Sequence, residues 1–209
     1  MNRINRYWDN LESGKDLFNQ YIELLTSCIN DMDLDALEKV AELFDKTCLE
    51  GNTIYCAGNG GSAATAAHFS TDLFFGRRLL GETRPKILNL VSNVPLMTAL
   101  SNDVSYDDVF LEQLNGHFKK DDILVVISAS GNSRNVLKAV DFAKEQGGWS
   151  VGLVGFDGGD LKERCDLCIH VQTPIGLYEL VEDVHHSMCH MLSQYIKFKA
   201  EQRRQGNTD

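Results

Sequence analysis

Residues 52–78 read NTIYCAGNGGSAATAAHFSTDLFFGRR. Asn52 to Cys56 predicts a short buried strand, Ala57 to Gly61 a turn open only to small residues, and Ser62 onward a helix. A strand that stops at glycines and feeds a helix start leaves unpaired backbone N–H groups and the positive dipole end aimed at one spot. That arrangement suits an anionic group. His68 and Asp72 follow four residues apart, hence about 40° apart around the helix, so they share a face and can act on one substrate or hold one metal ion.

Upstream of this stretch, Leu17, Phe18, Tyr21, Leu24, Leu25 and Cys28 carry the spacing of an amphipathic helix over Gly14 to Asn30. Asp33 reads as the cap of a second helix, closed by Gly51. Both precede the first strand and belong to no strand-helix-strand unit, so residues 1–51 form a helical arm suited to covering another subunit. Downstream, strands are expected at Lys86 to Val91, Asp122 to Ser128, Trp149 to Val154 and Leu167 to Val171. Between them lie helices at Pro95 to Leu100, Tyr106 to His117 and Asn132 to Gln146, with Val136, Leu137, Val140 and Phe142/Ala143 inward. FDGGDLKER makes a turn with a short helix, and a long helix runs from about Tyr178 to Arg203. Alternation of this kind predicts one α/β domain over 1–209, its core at 52–209: a five-stranded, doubly wound, mostly parallel sheet with helices on both faces. Ligands in such sheets lie beyond the C-terminal strand ends, where both glycine/serine loops fall.

The 30 acidic and 20 basic residues give a net charge of −10, with basic residues clustered only in the tail KFKAEQRRQ. That balance speaks against nucleic acid as a partner. No apolar run reaches membrane-spanning length, and no signal peptide opens the chain. Cys28, Cys48, Cys56, Cys165, Cys168 and Cys189 are scattered, which fits reduced thiols in a cytoplasm. The Cys165-x-x-Cys168 pair lacks the companions of a zinc finger and reads as ordinary thiols beside a strand.

A second loop, Ser128-Ala129-Ser130-Gly131-Asn132-Ser133, offers hydroxyls and backbone N–H groups at another helix start, enough to bind phosphate without a lysine. It is neither a P-loop nor a dinucleotide fingerprint. On the final helix Glu182, His186 and His190 follow at four-residue steps, with Glu179, Asp183 and His185 close by. Carboxylate and imidazole from this helix, with His68 and Asp72, make a four-ligand site for a zinc-like ion; a solvated polar stripe is the alternative.

AGNGGSAATAAHFSTDL, SNDVSYDDVF, ISASGNSRNVLKA, GFDGGDL and VEDVHHSMCHML, in that order, resemble the sugar isomerase (SIS) domain family and within it the phosphoheptose isomerases. The resemblance implies a flavodoxin-like three-layer sandwich, one Zn2+ per subunit, and a homotetramer with active sites at subunit contacts. It also implies a phosphorylated sugar as substrate: sedoheptulose 7-phosphate, exchanged with a heptose 7-phosphate through an enediol(ate), for surface heptose in lipopolysaccharide or capsule. By position, Ser62, Ser128, Ser130 and Ser133 match the family's phosphate cradle, Asn59 and Gly60 its first loop, and Asp103 an acidic residue near the sugar. His68 and His190 match two histidines that bind zinc and serve catalysis.

This chain departs from the family where it has Asp72 for a glutamate, Glu182 for a glutamine and Ala129 for a threonine. The family's base falls at position 72 and its acid at His190. Asp72 loses about 1.5 Å of reach, Glu182 adds charge that tightens a divalent metal, and either carboxylate serves as the base. The metal set implied is His68, Asp72, Glu182 and His190. A non-catalytic SIS-fold regulator that binds the bacterial replication initiator shares the loops and the GNSR run but lacks the carboxylate and the last histidine.

Overall fold

The computed structural model describes residues 7–78 and 86–206. The outer limits of the expected domain therefore lie outside the described residues.

Five strands, β1 (Thr53–Gly58), β2 (Lys86–Asn89), β3 (Ile123–Ser128), β4 (Trp149–Val154) and β5 (Leu167–His170), form one sheet in the order β2-β1-β3-β4-β5. Every pairing is parallel. From β1 the chain winds outward to β2, then returns to β3 and winds the other way, so the order reverses between β1 and β3. At that switch the connections leave in opposite directions and open a crevice at the C-terminal strand ends.

Helices cover both faces because β3 is apolar on both. Ile123, Val125 and Ile127 point into one core with Phe44, Phe69, Leu73 and Met188. Leu124 and Val126 point into the other with Phe110, Val140 and Leu161, as the two-residue period of a strand requires. The first core lies beneath α1 (Gly14–Asn30), α2 (Leu34–Glu50), α3 (Gly60–Arg78) and α8 (Tyr178–Gly206). The second lies beneath α5 (Val109–Leu114), α6 (Arg134–Glu145) and α7 (Leu161–Arg164). The arm is built as its caps predict. Ser13 and Asp16 cap α1 reciprocally, Asp33 caps α2, and Gly51 closes α2 in the left-handed conformation.

Several boundaries differ from expectation, β2 for one ending at Asn89 and not Val91. β1 continues to Gly58 and α3 starts at Gly60, so the turn is shorter than Ala57 to Gly61. The helix expected over Tyr106 to His117 is broken. α4 (Val94–Leu100) runs into a π-turn at Ser101–Ser105 and a 3-10 turn at Tyr106–Asp108, leaving only α5 as α-helix. There the Ser105 hydroxyl accepts the Asp107 N–H, a local bond that competes with helical pairing. α6 begins at Arg134 with Ser133 as its cap, two residues later than expected.

Cys28, Cys56, Cys165, Cys168 and Cys189 carry free thiols. Both sulfurs of the C-x-x-C lie over Gly152. Burial pushes Cys165 up to about 12 and Cys168 up to about 11. Among the described residues no helix is long and apolar enough to cross a membrane.

The basic tail is partly consumed by structure: Arg203 donates to the buried Asp45 with both guanidinium branches, at 2.6 and 2.9 Å, tying the end of α8 to α2. Arg203→Met removes both of these hydrogen bonds from the carboxylate. The expected loss is roughly 2–3 kcal/mol in urea unfolding, under the cost of breaking a fully enclosed pair because Arg203 is itself 30 % exposed.

His185, on the core side of α8, is 1 % exposed, and neither ring nitrogen makes a hydrogen bond of good geometry, the Val154 backbone lying beside it as a weak polar contact. Burial pushes its pKa down to about 4. The unfolded chain thus binds more protons than the folded one between pH 4 and about 6.5, so stability is complete above that window and falls as pH drops through it. His185→Leu should flatten the urea midpoint between pH 6.5 and 4.5, a range over which the wild type declines.

Candidate active site

Both glycine/serine loops open into one cavity of about 340 Å3 at the β1/β3 switch, lined by Asn59, Gly60, Gly61, Ser62, Ser128, Ser130, Ser133, Tyr178 and Glu182, among others. The loop after β1 is tight because a Cβ on Gly58 would stand 2.7 Å from the Ser62 carbonyl oxygen. Gly60 adopts φ +56°, a conformation glycine reaches without strain. In the second loop Ser128 Oγ accepts the Gly131 N–H at 3.1 Å and Ser130 Oγ accepts the Asn132 N–H at 3.3 Å, so these hydroxyls also shape the loop. Ser133 makes no capping bond to α6 with its side chain. That hydroxyl remains available to a guest in the cavity.

The two loops are clamped together. Asn59 and Asn135 exchange carboxamide hydrogen bonds, each donating to the other at 2.9 Å, and Tyr106 donates its hydroxyl to Asn59 Oδ1 at 2.7 Å. Asn135 is 2 % exposed. Among the described residues no lysine, arginine or histidine lines the cavity. Binding of an anion falls to N–H and O–H donors and to the starts of α3, α6 and α8, which face it together.

Past the cavity, along α3 and α8, the imidazoles gather. His68 Nε2 lies 3.4 Å from His190 Nε2 and 3.4 Å from Asp72 Oδ2, and His190 Nε2 lies 3.5 Å from the same oxygen. These three atoms form a nearly equilateral triangle. For zinc bonded to nitrogen at about 2.0–2.1 Å, tetrahedral geometry sets ligand atoms about 3.4 Å apart. Three lone-pair atoms converging at that spacing repel one another unless a cation or proton lies between them, so the residues fit a zinc-like ion with three protein ligands and an open position. His186 joins the group from one turn earlier on α8, its Nε2 3.2 Å from His68 Nδ1.

The expected site residues thus divide between two neighbouring places. Asn59, Gly60, Ser62, Ser128, Ser130, Ser133 and Glu182 line the cavity, while His68, Asp72 and His190 meet beyond it. Glu182 lies over Gly61, where an added methyl would strike its carboxylate. Burial, then the nearby Glu179 and Asp183, raises its carboxyl pKa above the ordinary value. Asp103 is exposed on the π-turn, accepts a hydrogen bond from Asn102 at 2.7 Å, and does not line the cavity. Sequence reasoning passed over Asn135, Tyr106 and Tyr178. Asn135 lies in the quoted loop-helix motif, one turn into a helix whose start was misplaced; no local pattern marks the two tyrosines.

The SIS domain family model matches residues 17–155. A phosphoheptose isomerase of Rhodospirillum rubrum is 38% identical over 165 residues, covering 78% of this chain and 85% of that protein. A phosphoheptose isomerase of Aliarcobacter butzleri is 36% identical over 174 residues, covering 83% and 90%. Among solved structures, a phosphoheptose isomerase from Francisella tularensis superposes with TM-score 0.75 at 28% identity, covering 88% of this chain and 95% of that one.

Asn135→Leu keeps side-chain volume but leaves the Asn59 carboxamide half-paired between the loops. A loss of about 1–3 kcal/mol in urea unfolding is expected, with at least a severalfold weaker affinity for inorganic phosphate by calorimetry. Unchanged values for both would mean the amide pair does not hold the loops.

Proposed function

Since the chain belongs to the SIS domain family, we propose that it is a metal-assisted aldose-ketose isomerase. It interconverts sedoheptulose 7-phosphate and D-glycero-D-manno-heptose 7-phosphate for surface heptose. The observation that carries this reading is the adjacency of two places on the same pair of helices: a cavity of hydroxyl and amide donors, and a triangle of two imidazoles and a carboxylate. The first suits a phosphate; the second suits the oxygens at the other end of a sugar chain.

In this reading Ser62, Ser128, Ser130 and Ser133, with the loop amides, hold the phosphate and so fix the distance at which the reacting carbons lie. Glu182 faces the cavity and takes the proton from one carbon and returns it to its neighbour. A raised carboxyl pKa makes it a better base near neutral pH than an ordinary glutamate. Asp72, held between His68 and His190, belongs to the metal set, as does His190 at the oxygen end. A zinc-like ion bound there supplies positive charge for the oxygens of the enediolate. Relatives named phosphoheptose isomerase that match four fifths of the chain support the substrate. A homotetramer is part of the proposal, supported by the exposed apolar side chains of the arm, Phe18 and Ile22. The loop clamp and the triangle are features of a working catalyst, which disfavours a purely regulatory role.

Purified protein supplied with zinc and sedoheptulose 7-phosphate should form the aldose, and stop on chelation. Glu182→Gln should lower kcat by about 10²–10⁴-fold while retaining zinc, whereas Asp72→Asn should lose zinc as well as activity. Full turnover by Glu182→Gln would remove the base; no turnover by zinc-loaded wild type would remove the substrate assignment.

A further inference from the structure

Each ring nitrogen of His68 has its own partner. Nε2 faces Asp72 and His190 in the triangle, and Nδ1 faces His186 Nε2 at 3.2 Å, the two rings standing edge to face at 87°. We infer that His186 is a positioning residue, fixing His68 as a metal ligand by accepting a hydrogen bond from its Nδ1–H. The inference rests on the metal-assisted reading above and deepens it.

A neutral imidazole carries one N–H and one lone pair. For Nε2 to offer its lone pair at the triangle, the proton must reside on Nδ1, where it needs an acceptor. His186 Nε2 is the group within reach. The pair therefore selects one tautomer of His68, sets the ring's rotation and raises its basicity toward a cation, the service that a metal-bound histidine ordinarily receives from a carboxylate or a carbonyl. The helix supplies the placement: His186 and His190 lie one turn apart on α8, so the His68 ring projecting from α3 fits between them. The triangle already has three edges of 3.4–3.5 Å without His186. His186 meets the opposite edge of the His68 ring, so it is a partner of the ligand and not a ligand.

The test uses zinc alone, with no sugar. Zinc affinity is measured by competition with a chromophoric chelator for the wild type, His186→Leu and His186→Asn. The cobalt(II) visible spectrum and the two-bond 15N–1H correlations of His68 are recorded alongside. Expected is a 10–100-fold weaker zinc affinity in His186→Leu, recovery of most of it in His186→Asn, whose amide oxygen accepts, unchanged cobalt bands, and a proton on His68 Nδ1 in zinc-loaded wild type. Equal affinity in His186→Leu, or a His68 proton on Nε2, overturns the inference. So does a loss above a thousandfold in both variants with shifted cobalt bands, which would make His186 a ligand. Should His186→Leu fail to fold, the wild-type tautomer and the His186→Asn affinity decide alone. Absence of zinc binding by the wild type would instead strike the preceding reading; absence of turnover with zinc bound normally would strike only the substrate.

Discussion

The parallel packing of α3 against α8 is the contact on which the site rests. Both helices start at the C-terminal edge of the sheet and bury Phe69 and Leu73 from one, Val184 and Met188 from the other, in a single core. Once that register is set, the pairings down the seam follow without further choice. Gly61 meets Glu182 at the head of the seam, and a turn or two lower His68 meets His186 and His190. The separation of an anion cavity from a cation site is thus a matter of depth along one helix pair.

Much of this was legible in the residues. The apolar runs marked all five strands, the first also by its glycine stop, and the parallel order follows from alternation with helices. His68 and Asp72 share a face as their spacing requires. What spacing could not supply was which polar residues of α8 act together. Glu182 and His190 are two turns apart, about 12 Å along the axis and about 80° around it. A list of four-residue steps places them on one stripe, but a stripe of that length spans both the serine cavity and the imidazoles. Only the partner helix decides which is which. The gap between the helices at Leu100 and Tyr106 was read from the residues, but the 3-10 turn at Tyr106–Asp108 was not, because there a serine hydroxyl takes a backbone N–H that an α-helix would need. The Asn59–Asn135 pair joins residues 76 apart in sequence, beyond the reach of any local pattern.

Electrostatically the site is economical. In a chain of net charge −10, a cavity with no cationic side chain among the described residues can hold an anion only through the starts of three helices and short-range donors. Such attraction is local, acting over a turn of helix, and does little to steer from a distance. The carboxylate of Glu182 stands in the same cavity.

The sulfur chemistry of the fold has a consequence for metal selection in a cell. Burial holds Cys56 and Cys165 as thiols up to about 12 and Cys168 up to about 11, and a thiol must lose its proton before it can bind a soft cation. Clustered thiolates would otherwise draw zinc or copper(I) away from nitrogen and oxygen donors. With these three sulfurs kept protonated, the folded chain offers an incoming ion the imidazoles and carboxylate of the α3–α8 seam ahead of sulfur.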